Sequence, residues 1–134
     1  MWSLAYLDGT IIWMELVMKR KMKPEVKAKW LEALRSGEYK QGRMKLKNEY
    51  NGSYCCLGVL CDVYHGATCD GFWNANSNQS GENFVVGAHA SALYAPDAVL
   101  DWAGLDRTDS KYLATTNDDT FNFDTVIDLI ERDL

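Results

Sequence analysis

The sequence predicts an α+β domain: a small antiparallel sheet that includes a hairpin at Asn51-Gly52, packed against at least three helices. Three observations carry this reading. Apolar residues recur at helical spacing in two well-separated stretches, after Pro24 and after Asn122. A period of two runs through residues 42–50 and is followed at once by Asn-Gly, the strongest short hairpin signal. The regular alternation of strand and helix that a parallel α/β sheet demands does not persist along the chain.

Residues 1–21 look at first like a targeting segment, but the order of charges is wrong. A signal peptide carries positive charge before its apolar run, whereas Lys19, Arg20, Lys21 and Lys23 follow it here and Asp8-Gly9 interrupts it. The run is also short of the roughly 20 apolar residues that span a bilayer. Met14, Met18 and Met22 each precede the convincing part of the chain. Residues 1–21 are therefore read as an N-terminal extension upstream of the natural start, or as a short arm on the body. Residues 22–134 form a single globular domain, near the commonest domain size.

The first helix begins at Pro24, a residue favoured in a first turn, and carries Val26, Trp30, Ala33 and Leu34 on one stripe before Gly37 stops it. Alternation through Met44, Leu46 and Tyr50 predicts a half-buried strand. After the turn, residues 53–66 read as a very short return strand entering a buried helix. Cys56, Leu57, Leu60, Val63 and Tyr64 share its face and Gly66 ends it. Gly58 inside that helix costs about 1 kcal/mol against Ala, so it is expected to permit close contact with another backbone.

Residues 67–82 are rich in Asn, Ser and Gly and read as a loop, with Phe72 and Trp73 its large apolar residues. Residues 83–87 fit a strand. Pro96 opens a short helix that Gly104 closes, with Val99, Leu100 and Trp102 facing the core. Residues 112–116 read as a strand or an irregular approach to Asn117-Asp118-Asp119. The last helix takes Asn122 as its N-cap and buries Phe123, Val126, Ile127 and Ile130.

Charge is unevenly spread. Residues 1–50 hold eleven Lys/Arg against six Asp/Glu, and residues 51–134 hold three against thirteen. Such a split makes either a basic face for an anionic partner or two halves that attract each other on folding. Cys55, Cys56, Cys61 and Cys69 contain no C-x-x-C pair, and His65 and His89 lie apart, so the spacing of a zinc site is missing. Free, largely buried thiols in a reducing cytoplasm are expected, with no cofactor.

Candidate chemistry is sparse. Asn117-Asp118-Asp119 could hold a divalent cation through hard oxygens, but it lacks the regular ligand spacing and closing Glu of a calcium loop, and a solvated turn is the plainer reading. No nucleophile pattern surrounds either histidine, and each reads as a surface or capping residue. The connection at residues 35–43 is richer: Gly37 and Gly42 expose backbone amides, while Arg35, Tyr39, Lys40, Gln41 and Arg43 offer donors and a stacking ring. With Trp73, these residues are the candidate ligand-binding set, suited to a phosphate or nucleotide. An ordinary helix-to-strand connection is the competing reading.

The runs WLEALRSGEYKQGR (residues 30–43) and YCCLGVLCD (residues 54–62), with ATTND at residues 114–118, resemble a family of small uncharacterised proteins of tailed phages and prophages. The likeness covers residues 27–134. It implies an origin, a phage or prophage accessory protein in the cytoplasm of a bacterial host, and brings no catalytic residue with it. The expected function is non-catalytic binding of a host protein or a small anionic ligand, with a role in countering host defence. A small metal-dependent enzyme on nucleotides or nucleic acid, using Asn117, Asp118 and Asp119, and a virion assembly protein are the alternatives.

Overall fold

A computed structural model describes residues 22–75 and 81–134. The expectation for residues 1–21 lies outside the described residues. Among those described, the elements run α1 (Pro24–Arg35), β1 (Lys40–Gln41), β2 (Lys47–Asn48), β3 (Ser53–Tyr54), α2 (Cys56–Thr68), β4 (Phe72–Ala75), β5 (Gly81–Val86), β6 (His89–Ser91), α3 (Asp97–Ala103), α4 (Arg107–Asp118) and α5 (Asp124–Asp133). The chain is α+β, with a sheet ordered β1-β3-β2-β5-β4 and β6 paired to β5. All pairs are antiparallel except β1 with β3.

Helix α2 is the centre of the core. Every residue from Cys56 to Cys61 is buried, so its first turns are covered on all sides, by α1, α3, α4 and β3. Gly58 makes this possible: a Cβ there would overlap the carbonyl oxygen of Leu46. The expected close backbone contact is thus present, and its partner is the residue just before β2. Helix α1 lies across α2 through Val26, Trp30, Leu31 and Leu34, and the Trp30 indole donates to the Cys56 carbonyl at 3.0 Å. Leu31 takes the core position expected of Ala33, which is half-buried.

The hairpin forms as Asn51-Gly52 predicts, with Lys47 opposite Tyr54 and Asn48 opposite Ser53. Gly52 takes φ +67°, the left-handed conformation the turn requires. Its strands are shorter than the alternation suggested. Leu46 is buried, but Met44 and Tyr50 are 72% and 78% exposed, because the chain bends through residues 43–46 instead of pairing.

Three expectations are corrected. Helix α2 runs past Gly66 to Thr68 and ends at Cys69, whose φ of +59° supplies the left-handed cap; the Thr68 hydroxyl donates back to the Tyr64 carbonyl and holds the extra turn. Phe72 and Trp73 lie on strand β4, not in a loop, since Trp73 pairs opposite Phe84 of β5 and the two rings pack edge to face. Residues 112–116 are helical, part of α4, which starts on a capping box between Asp106 and Asp109.

The remaining helices follow their caps. Gly104 ends α3 at φ +83° with its N–H on the Asp101 carbonyl, while Leu105 N–H reaches Leu100. Val99 and Leu100 are buried and Trp102 is half-buried against Tyr64. On α5 the Asn122 side chain accepts from Asp124 N–H, as a cap should, although Phe123 holds the N-cap position. The basic first half meets the acidic second half in the Arg35–Glu131 and Lys47–Glu82 ion pairs, as the self-attraction reading requires.

Candidate functional site

The six residues of the expected ligand-binding set do not come together in one place, and most of their polar groups are already engaged. Arg35 pairs with Glu131 on α5. Gln41 donates to the Asn117 carbonyl at 2.9 Å, and Arg43 donates to the Thr120 carbonyl at 2.9 Å while its guanidinium lies 4.5 Å over the Phe121 ring. Lys40 is exposed. Tyr39 and Trp73 do meet, on opposite oxygens of Asp62, at 2.8 and 2.9 Å.

Around Asp62 the rings of Tyr39, Tyr54 and Trp73 stack edge to face in sequence. The Lys47 ammonium lies 5.3 Å from the Tyr54 and Trp73 centroids and 3.2 Å from Glu82. Burial works against that ammonium, but hydrogen bonds to Tyr54 and Glu82 outweigh it and raise its pKa. Burial first, then the bond to Asp62, pushes the Tyr39 phenol well above the ordinary tyrosine value. Donors and acceptors inside this cluster satisfy one another, which makes it a brace between the sheet and α2.

Asn117 is no solvated turn. It is fully buried near the C-terminal end of α4. Its Oδ1 accepts from the Cys56 N–H at 3.1 Å and its Nδ2 donates to the Gly42 carbonyl at 2.9 Å. Helix α2 has no side-chain cap of its own at Cys55. Asn117 therefore caps α2 from a different helix, satisfying one of the N–H groups that a helix start leaves without a partner. Asp118 accepts from the Met44 N–H at 2.9 Å and supports the left-handed backbone there, φ +66°. Among the described residues, no three His, Cys, Asp or Glu side chains converge to hold a metal ion.

The site with room for a ligand lies elsewhere. A cleft of about 520 Å³ opens between the β5–β6 hairpin, the connection after it, and helices α3 and α4. That volume is typical of small-molecule sites. Val86, Ala95, Pro96, Ala98 and Leu100 make it largely apolar, and Tyr94 adds a half-exposed ring. Arg107, Ser110 and Lys111 line it from α4, at the i, i+3, i+4 spacing of one helix face. His89 enters from β6, so this histidine is a cleft residue as well as a surface one.

Ser110 is the anomaly. It is 2% exposed, and its hydroxyl has no hydrogen-bond partner among the described residues, not even the carbonyl one turn back that helical serines commonly use. Leaving such a group unpaired costs about 1–3 kcal/mol. Arg107 makes a two-pronged bond to Asp97, 3.0 and 2.6 Å, and that bond lowers the Asp97 pKa.

Sequence reasoning missed this site because it missed α4. Two signals were present: the Asp106-x-x-Asp109 capping box, and Arg107 with Lys111 as two of the three cations in an acidic half. The thiols bear on function too. Burial pushes Cys55 up to about 11 and Cys56 and Cys61 in the same direction, so those three are poor nucleophiles at neutral pH, while Cys69 is exposed.

No helix among the described residues is long and apolar enough to cross a membrane. Neither the curated proteins nor the solved structures contain a match to this sequence. The family described as a domain of unknown function, DUF8296, matches residues 22–134, from the start of the first helix through the last, and the chain belongs to that family.

Proposed function

We propose that this chain is a non-catalytic binding protein that takes a small anionic ligand with a flat apolar body, nucleotide-like in its chemistry, in the cleft between β6, α3 and α4. The observation that carries this is the Ser110 hydroxyl, buried and without a partner among the described residues, in the wall of a largely apolar cleft beside Arg107 and Lys111. A ligand oxygen that pairs with this hydroxyl removes the cost of burying it alone. The apolar walls and Tyr94 cover a ring, and the two cations neutralise an oxyanion.

The likeness of residues 30–43 and 54–62 to phage and prophage proteins supports an accessory role in a bacterial host cell, aimed at a host nucleotide or a signal built from one. Free buried thiols fit a reducing compartment and so support the host cytoplasm as its place.

Calorimetric titration with adenosine monophosphate tests the site. Arg107→Ala should weaken binding about tenfold and Ser110→Ala by several fold, since hydrogen bonds to charged groups are worth about 1.5–3 kcal/mol and neutral ones about 1. Changing Arg35, Lys40 and Arg43 together to Ala should leave the affinity alone. The reverse pattern would return the function to the residue 35–43 connection and remove it from the cleft.

A further inference from the structure

We infer that Asp97 is an internal stand-in for the ligand: its carboxylate holds the Arg107 fork that the ligand's oxyanion takes on binding. This rests on the cleft being the binding site, and it narrows the ligand to one that carries a forked oxyanion, a phosphate monoester or a carboxylate.

The geometry is that of a ligand contact made by the protein itself. Nε and Nη2 of Arg107 reach the two oxygens of Asp97 at 3.0 and 2.6 Å. This parallel pair of bonds is the one a guanidinium makes with a carboxylate or phosphate, and a single acceptor oxygen cannot reproduce it. Both residues line the cleft, and Asp97 is the one acidic residue among the described residues that do so.

The exchange is easy to make. The side chains of Arg107 and Asp97 are 83% and 57% exposed, and ion pairs that wet contribute little to folding. An arriving oxyanion also finds what Asp97 lacks. It enters with Lys111 on the same face of α4 and with the Ser110 hydroxyl, which has no other partner among the described residues. Asp97 starts α3, so its side chain can release Arg107 by rotating without moving the helix.

The test titrates adenosine monophosphate and, separately, inorganic phosphate into the full chain. Asp97→Asn should tighten the nucleotide about fivefold, the scale of an exposed ion pair, because Arg107 no longer has to be taken from a carboxylate. In an Arg107→Ala background the same change should bring no gain. Asp101→Asn alters the charge equally one turn along α3 and should change affinity less than about twofold, being screened and unbonded to the fork.

Weaker binding in Asp97→Asn would mean that Asp97 positions Arg107 for the ligand, and would overturn the inference. An equal gain from Asp101→Asn would reduce it to general electrostatics and overturn it too. Those results, with binding still dependent on Lys111 and Ser110, would leave the cleft reading standing. Binding that ignores Lys111 and Ser110, or fails in every variant, would remove the cleft and this inference together.

Discussion

Helix α4 buries two polar side chains seven residues apart, Ser110 and Asn117, and the protein treats them in opposite ways. Asn117 spends both ends of its amide on backbone groups of Gly42 and Cys56 and joins α4, α2 and the β1–β2 bend into one closed unit. The Ser110 hydroxyl has no partner among the described residues, and the residue lies against the cleft. Equal burial with unequal satisfaction separates a structural group from a binding one. Saturated polar groups hold a fold together, and an unsaturated one beside a cavity is a contact waiting for a partner.

The largest test of the closed end is Gly58→Ala. The added methyl must displace the Leu46 backbone, not a flexible side chain, so a loss of about 4 kcal/mol or more is expected, seen as a fall of over 10 °C in thermal unfolding. Survival with a shift of a degree or two would show that the closed end is looser than its contacts imply.

Asn117→Ala comes next. It leaves the Cys56 N–H and the Gly42 carbonyl buried without their partner, which should cost about 3 kcal/mol in denaturant unfolding. Asn117→Asp should be nearly as damaging at neutral pH, because a carboxylate cannot donate to Gly42.

The closed end should also be sensitive to alkali. Cys55 ionises near 11 in the fold, whereas an unfolded thiol ionises near 8.5. A folded pKa raised in this way leaves stability intact below the unfolded value and erodes it as pH rises through the window towards 11. Cys55 alone should account for a loss of about 3 kcal/mol there, Cys56 and Cys61 act in the same direction, and Cys55→Ser should make the pH dependence of unfolding shallower. A flat profile in the unmodified protein would place water against that thiol.

At the open end the effect should be smallest. Ser110→Ala removes a buried polar group with no partner among the described residues, so stability should rise by about 1 kcal/mol while ligand affinity falls. A clear loss of stability would give Ser110 a structural partner and erase the contrast with Asn117.

Much of the fold was legible because its signals are local. Pro24 with the Val26-Trp30-Leu34 stripe, Pro96 with Gly104, and Asn122 with the Val126-Ile127-Ile130 face each place start, stop and buried side within one segment. Asn51-Gly52 sets the hairpin by its own backbone preference, and Gly58 announced a close approach without naming Leu46. Helix α4 was hidden by Thr115-Thr116 and a polar surface, which weaken periodicity even where the capping box is sound.

The sequence by itself therefore determined the α+β class, the hairpin, and the helices whose caps and apolar stripes agree. Tertiary structure alone decided the rest. Strands two residues long take their pairing from their neighbours, so β1 against β3 could not be read locally, and β4 was hidden in a stretch rich in Asn, Ser and Gly until it paired with β5. The same holds for the sites. Asn117 meets partners 61 and 75 residues away, and His89, Asp97 and Ser110 reach one cleft from three elements. Caps and turns act within about one helical turn, whereas a cavity and a cross-helix cap exist only once distant segments have packed.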